Sequence, residues 1–275
     1  MIPPKKIVWM TAAVLGLFTW VFFQFGHEFK SKTGTQPVGD TLEEELLLYC
    51  GAGIQPVAEA MTKAFSKASG ITVNTTYAGS GRLLGQLASS QVGDLFMPGS
   101  AFYVERAVEQ KLVHENTRQD VAYFIPVIVV QKGNPLGVTS LADLARLELR
   151  LGLGDERAVA VGKQSKKLFD KNLIPYTNVE NNVVYRSGTV NELGVALQMK
   201  HIDAAIMWNA NARQFASAVD VIEIPAAQSL ISTIPVVVLT CSRSFDDANS
   251  FVNFVTSPEG KEILREFDYT VELKH

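Results

Sequence analysis

From Leu46 onward the chain alternates short, β-rich apolar runs with longer segments whose apolar residues recur every three or four positions. That alternation is the strongest constraint on what it can fold into. Leu46–Tyr49 is an unbroken apolar run of the buried-strand type. The next segment places Val57, Ala60, Met61, Ala64, Phe65 and Ala68 on one helical face and closes at Gly70. The pattern then predicts strands over 71–77, 94–97, 124–131, 149–153, 182–185, 204–208 and 234–239. Between and after them it predicts helices over 81–90, 101–110, 140–145, 162–172, 190–200, 247–255 and 258–267. Such an order predicts an α/β protein with mostly parallel sheets covered on both faces, divided between two small lobes. In open α/β sheets ligands bind beyond the carboxyl ends of strands, often at helix N-termini. Function is therefore expected at the strand-to-helix junctions.

Charge divides the chain in two. Its formal net charge is −3, without the basic excess of a general nucleic-acid binder. Residues 1–32 carry Lys5, Lys6, Lys30 and Lys32 against Glu28 alone, which leaves −6 on the remainder. Within this basic head, Ile7–Phe25 runs for 19 residues without a charge. At about 1.5 Å per residue it extends roughly 28 Å, close to the ~30 Å of a bilayer's hydrocarbon core. Lys5 and Lys6 precede it, which keeps the N-terminus cytoplasmic and exports the body. A cleaved signal peptide is the alternative. The run is long, however, ends Phe22-Phe23-Gln24-Phe25-Gly26-His27 without a small-x-small site, and is followed by no cysteine that could carry a lipid nearby. An uncleaved signal-anchor is the preferred reading of residues 1–32, with residues 33–45 as a polar linker.

Four junctions have the small or polar residues an anion site needs. They are Tyr49-Cys50-Gly51-Ala52-Gly53-Ile54-Gln55-Pro56, Tyr77-Ala78-Gly79-Ser80-Gly81-Arg82, the loop from Gly154 to Gly162, and Arg186-Ser187-Gly188-Thr189-Val190-Asn191-Glu192. Small residues let backbone N–H groups approach a ligand. Ser80 stands where an N-cap would, able to cap the helix or to donate to an anion. Neither glycine-rich junction ends in Gly-Lys-Ser/Thr or follows Gly-x-Gly-x-x-Gly, which disfavours nucleotides. The four histidines are scattered without metal-ligand spacing, and no Gly-x-Ser-x-Gly elbow is present. No catalytic residue, metal site or cofactor is expected, although Cys50 in the first junction is a conceivable nucleophile. Cys50 and Cys241, both after apolar strands, could form a disulfide or remain two separate thiols.

Taken in order, LYCGAGIQP (48–56), YAGSGRLLGQL (77–87), GDLFMPG (93–99), YFIPVIVVQKGNP (123–135), GLGDERAVAVG (152–162) and FVTSPEGKEI (254–263) resemble the periplasmic molybdate/tungstate-binding proteins of ABC importers. The resemblance runs from about Leu46 to Tyr269. It implies the type II periplasmic binding protein fold, two lobes closing on an oxyanion held by hydroxyls and main-chain N–H groups, without a metal or other cofactor. By position it implies ligand-binding roles for Gly53, Ser80, Val161, Val190, Asn191 and Trp208. Gly53 stands where the family often has serine, and Trp208 where a tyrosine often points its hydroxyl at the anion. The implied lobes are 46–127 with the return 236–275, and 128–235, hinged where the chain is expected to cross between them, over Phe124–Val130 and back over Ile234–Thr240. The implied protein is an exported, membrane-tethered monomer, not an enzyme, that passes molybdate or tungstate to an importer permease. Two alternatives stay open: the same fold taking sulfate, phosphate, phosphonate or a small organic acid, and a membrane-anchored sensor.

Overall fold

The structure is a computed structural model that describes residues 45–146 and 148–273. The apolar segment Ile7–Phe25, and the linker up to residue 44, lie outside the described residues. Among the described residues no helix is long and apolar enough to cross a membrane. Glu43–His275 forms a compact unit by itself.

Strand β1 (Glu45–Gly51) runs through a single 3-10 turn (Ala52–Ile54) into helix α1 (Gln55–Ser69). Pro56 sits in the first turn of α1, where its missing N–H costs nothing. The helix stops at Gly70, whose φ of +81° is left-handed geometry that glycine adopts without strain. Two more units follow: β2 (Thr72–Ala78) with α2 (Ser80–Ser90), and β3 (Leu95–Met97) with α3 (Ala101–Glu109). Next come β4 (Gln119–Phe124), β5 (Pro126–Gln131), β6 (Leu151–Gly154), α4 (Ala160–Lys171), α5 (Tyr176–Glu180), β7 (Val183–Ser187) and α6 (Val190–Gln198). The chain ends with β8 (Ala204–Trp208), α7 (Asn209–Arg213), β9 (Val219–Glu223), β10 (Ser232–Val238), α8 (Phe245–Thr256) and α9 (Pro258–Glu266). The last two helices return to the first lobe, where Phe251 meets Phe65 of α1 edge-on at 5.2 Å.

The strands form two five-stranded sheets, ordered β2-β1-β3-β10-β4 and β7-β6-β8-β5-β9. The expectation of parallel pairing holds for β1 with β2 and β3, and for β6 with β7 and β8. It fails at one strand per sheet. β10 is antiparallel to β3 and β4, and β5 is antiparallel to β8 and β9. Each of these is the strand by which the chain enters that sheet from the other. A parallel strand needs a long crossover, usually a helix, and neither entry has one.

The apolar run 124–131, expected as one strand, is therefore two strands in different sheets, broken at Ile125. Asn209 holds the break: its N–H donates to the Ile125 carbonyl at 2.9 Å, and its Oδ1 accepts the Ile125 N–H at 3.3 Å. The return falls in residues 224–231 rather than in 234–240, so β10 belongs wholly to the first sheet. Pro235, lacking an N–H, marks a register shift against β4 instead of a crossover. The edge strands β4 and β9 have no counterpart in the sequence reading. β4 starts on exposed Gln119 and Asp120, and β9 leaves Val221 45% exposed, so neither carries a buried apolar run.

Register positions the functional region. Gly51 pairs with Ala78, and Gly154 with Ser187. β1 and β2 thus end level with one another, as do β6 and β7, and the helices that follow them start side by side. Cys50 and Cys241 are free thiols, which removes the disulfide alternative. Burial pushes the Cys50 thiol well above its ordinary range, the opposite of an activated nucleophile.

The segment 140–145, expected as a helix, is a 3-10 turn (Ala142–Ala145) pinned by Asp143. One oxygen of that carboxylate, Oδ2, accepts from the N–H and hydroxyl of Thr139 (2.8 and 2.9 Å) and from those of Ser140 (2.9 and 3.1 Å). The Thr139 N–H above all, then the two hydroxyls, hold the carboxyl below its ordinary range. Asp143→Ala is expected to destabilise the fold at neutral pH by about 1.5–3 kcal/mol, the scale of hydrogen bonds to a charged group. The folded-state value lies below the unfolded one, so this stabilisation is complete above the unfolded value of about 3.9 and fades as pH falls through the lower folded value. Urea unfolding of both proteins at neutral and strongly acidic pH should show the gap narrowing in acid.

Candidate functional site

A cavity of about 20 Å³ lies where the two sheets face each other. Its wall is built from helix starts. Ala52, Gly53 and Ile54 come from the turn before α1, Gly79 and Ser80 from the start of α2, Val159 and Ala160 from the start of α4, and Thr189 and Val190 from the start of α6. The first N–H groups of a helix have no partner within it and form the positive end of its dipole. None of the 14 lining residues carries a charge. Among the described residues no group of His, Cys, Asp and Glu could hold a metal ion.

Each junction is fixed locally. Gly79, in extended conformation, is the N-cap of α2, and Ser80 is its first helical residue with no side-chain capping bond. The Ser80 hydroxyl instead accepts the Gly99 N–H at 3.1 Å, which leaves its own proton to donate into the cavity. Thr189 caps α6 by accepting the Glu192 N–H at 3.4 Å, and the Glu192 carboxylate accepts the Gly188 N–H at 2.8 Å. This is a variant of the capping box that satisfies backbone donors behind the helix start. Extended Val159 starts α4 two residues earlier than the glycine at 162 suggested.

Of the six residues singled out in the sequence, Gly53, Ser80, Val190 and Trp208 line this one cavity. Val161 does not. It is fully buried behind the lining, and Val159 and Ala160 stand in its place. Asn191 is also absent from the lining; its Nδ2 donates to the Ala52 carbonyl at 3.4 Å. Trp208 is 2% exposed and stacks on Phe124 at 4.9 Å with the rings 5° apart. Its indole N–H donates to no other described residue. Sequence reasoning missed Phe124, Gly99, Thr189, Asn211 and Tyr269. Only Thr189 carried a usable signal, the Thr-x-x-Glu spacing to Glu192.

The lobes are in contact around the cavity. The Gly81 N–H donates to the Ala158 carbonyl at 3.0 Å, and Asn211 Nδ2 donates to the Gly53 carbonyl at 2.9 Å. A Cβ at Gly79 would stand 2.4 Å from the Ala158 oxygen and 2.7 Å from that of Gly188, so only glycine permits this approach. At Gly53 a Cβ would stand 2.9 Å from Val190 Cγ1 and 3.2 Å from Asn211 Oδ1. The serine that the resembled family often has at this position would crowd those two side chains.

Residues 46–270 match the family model of the bacterial extracellular solute-binding proteins. The chain belongs to this family. A Haemophilus influenzae protein described as a binding protein is 30% identical, over 78% of this chain and 86% of its own length. The molybdate-binding protein ModA of Mycobacterium bovis is 24% identical over 84% and 86%. Among solved structures, the periplasmic molybdate-binding protein of Azotobacter vinelandii superposes with a TM-score of 0.70 at 15% identity, covering 83% of this chain and all of its own. The sulfate-binding protein SubI of Mycobacterium tuberculosis gives 0.72 at 18%, covering 82% and 86%. These likenesses establish the two-lobed type II periplasmic binding protein fold. Membership makes the chain an extracytoplasmic solute-binding protein.

Gly79→Ala tests how far closure depends on backbone contact. The variant is expected to fold but to favour an open form, with a larger radius of gyration by X-ray scattering and greater acrylamide quenching of Trp208.

Proposed function

We propose that the chain captures a compact tetrahedral oxyanion, molybdate or tungstate first among them, and hands it to an ABC importer. One observation carries the reading: four helix starts and the Ser80 hydroxyl converge on a cavity of about 20 Å³ with no charged side chain. Desolvating a dianion is costly unless its oxygens are fully hydrogen-bonded. Here the donors are the N–H groups of Gly53 and Ile54, Ser80 Oγ, the first-turn N–H groups of α4 and α6, including those of Val161, Val190 and Asn191, and Trp208 Nε1. The volume is only somewhat above the ~10–15 Å³ that admits one water. That suits a compact inorganic oxyanion better than a sugar phosphate. The ModA relative supports molybdate as the first candidate, with sulfate the competitor to test, since the sulfate-binding SubI shares the fold equally well. Ile7–Phe25 would tether the body to the outer face of the cytoplasmic membrane, beside the permease it serves.

Calorimetric titration of the full-length protein should give micromolar or tighter binding of molybdate and tungstate, and binding of sulfate and phosphate at least about a hundredfold weaker, a gap of ~2.7 kcal/mol. Ser80→Ala should weaken molybdate binding by about tenfold to a hundredfold, as for loss of one hydrogen bond to a charged group. Sulfate binding as tightly as molybdate would reassign the anion. Folded protein that binds no oxyanion would overturn the proposal.

A further inference from the structure

The loop Ala52–Ile54 carries two of the donors proposed for the anion, and its own fold does little to aim them. It is one turn of 3-10 helix with a glycine at its centre. In a trans peptide the C=O of one residue and the N–H of the next point in opposite directions. The Gly53 N–H is therefore aimed by whatever holds the Ala52 carbonyl, and the Ile54 N–H by whatever holds the Gly53 carbonyl.

Both carbonyls are held. Ala52 O accepts the Gln55 N–H within the turn and, at 3.4 Å, Asn191 Nδ2. Gly53 O accepts Asn211 Nδ2 at 2.9 Å and the Tyr269 hydroxyl at 2.6 Å, which occupies both of its lone pairs. Asn211 is fully buried, and its Nδ2 also donates to Asn191 Oδ1 at 3.1 Å. Both of its neighbours on that side are acceptors, so the orientation of its amide is fixed, and its Oδ1 is left without a partner. Such an unpaired buried oxygen costs free energy, which makes sense if the Nδ2 contact to Gly53 is what the position requires.

We infer that Asn211 and Tyr269, assisted by Asn191, are positioning residues for anion capture: they fix the Gly53 carbonyl on one side of the loop so that the Ile54 N–H faces the cavity. This rests on the oxyanion reading. Tyr269 acts from within the first lobe. Asn211 and Asn191 reach across from the second, on α7 and α6. Without them the Gly53 carbonyl loses both side-chain donors, and only the single 3-10 turn closed by the Gln55 N–H is left to orient the Gly53–Ile54 peptide. Aiming the first lobe's donors thus depends on arrival of the second lobe, which couples closure to ligand without a contact between Asn211 and the ligand itself.

The test uses full-length protein with Asn211→Leu and Tyr269→Phe, the latter removing a single oxygen. Molybdate is titrated by calorimetry, and the Ile54 amide is followed by ¹H–¹⁵N NMR at saturating molybdate. Wild type should show a downfield shift of the Ile54 amide. Each variant should bind about tenfold more weakly and show a smaller Ile54 shift at saturation. Ser80→Ala should weaken binding while keeping the Ile54 shift, which a general loss of affinity or stability would not reproduce. If wild type binds molybdate and both variants bind within twofold of it with the full shift, the positioning role is overturned and the oxyanion reading stands. If folded wild type binds no oxyanion, the oxyanion reading falls and this inference falls with it.

Discussion

Four helices begin at one small cavity, and the unpaired N–H groups of their first turns are the feature on which the rest of the molecule depends. Those groups need either water or an acceptor. Enclosed between two sheets, they are best satisfied by an anion. The parallel pairing of β1 with β2 and of β6 with β7 brings the starts together, because strands in level register release their helices at the same height. The two antiparallel entry strands serve the same end. By admitting the chain directly from the other sheet, β5 and β10 keep the connections short and leave the carboxyl ends of the parallel strands facing one another.

Closure relies on the absence of side chains as much as on their presence. Gly79 brings its backbone against Ala158 and Gly188, and Gly53 yields the space that Val190 and Asn211 fill. Phe124 and Trp208 complete the wall. They belong to different sheets and stack beside Ile125, the single residue by which the chain first passes between them. The first crossing between the sheets and the cavity therefore share a boundary.

Much of this was legible in the sequence, because helix and strand periodicity and Gly-rich junctions are local signals. Leu46–Tyr49, the face from Val57 to Ala68, and Ala204–Trp208 all fall in the elements their spacing indicated. Ser80 was found as a residue at a helix start, and Trp208 through the family resemblance. What escaped was non-local. Phe124–Gln131 reads as one apolar run, and nothing within it says that Asn209, 84 residues on, breaks it at Ile125. Tyr269 meets Gly53 across 216 residues, and Asn211 across 158. Val161 was placed by resemblance for its backbone N–H; its side chain lies behind the lining, and extended Val159, not Gly162, marks the start of the helix whose first turn carries that N–H. Of the edge strands, β2 and β7 were read from the sequence, whereas β4, which opens on exposed Gln119 and Asp120, and β9, with Val221 exposed, were not.

The neutrality of the cavity has a further consequence for how protons enter the equilibrium. No side chain in the wall titrates. The Tyr269 phenol, which donates to the Gly53 carbonyl, and the Cys50 thiol beside the first junction are driven by burial to higher values and stay uncharged at neutral pH, while the Glu192 carboxylate lies behind the wall on Thr189 and the Gly188 N–H. On the proposed reading, capture of an oxyanion needs no proton from the wall itself, and the solute's own ionisation becomes the main route by which external pH enters the equilibrium.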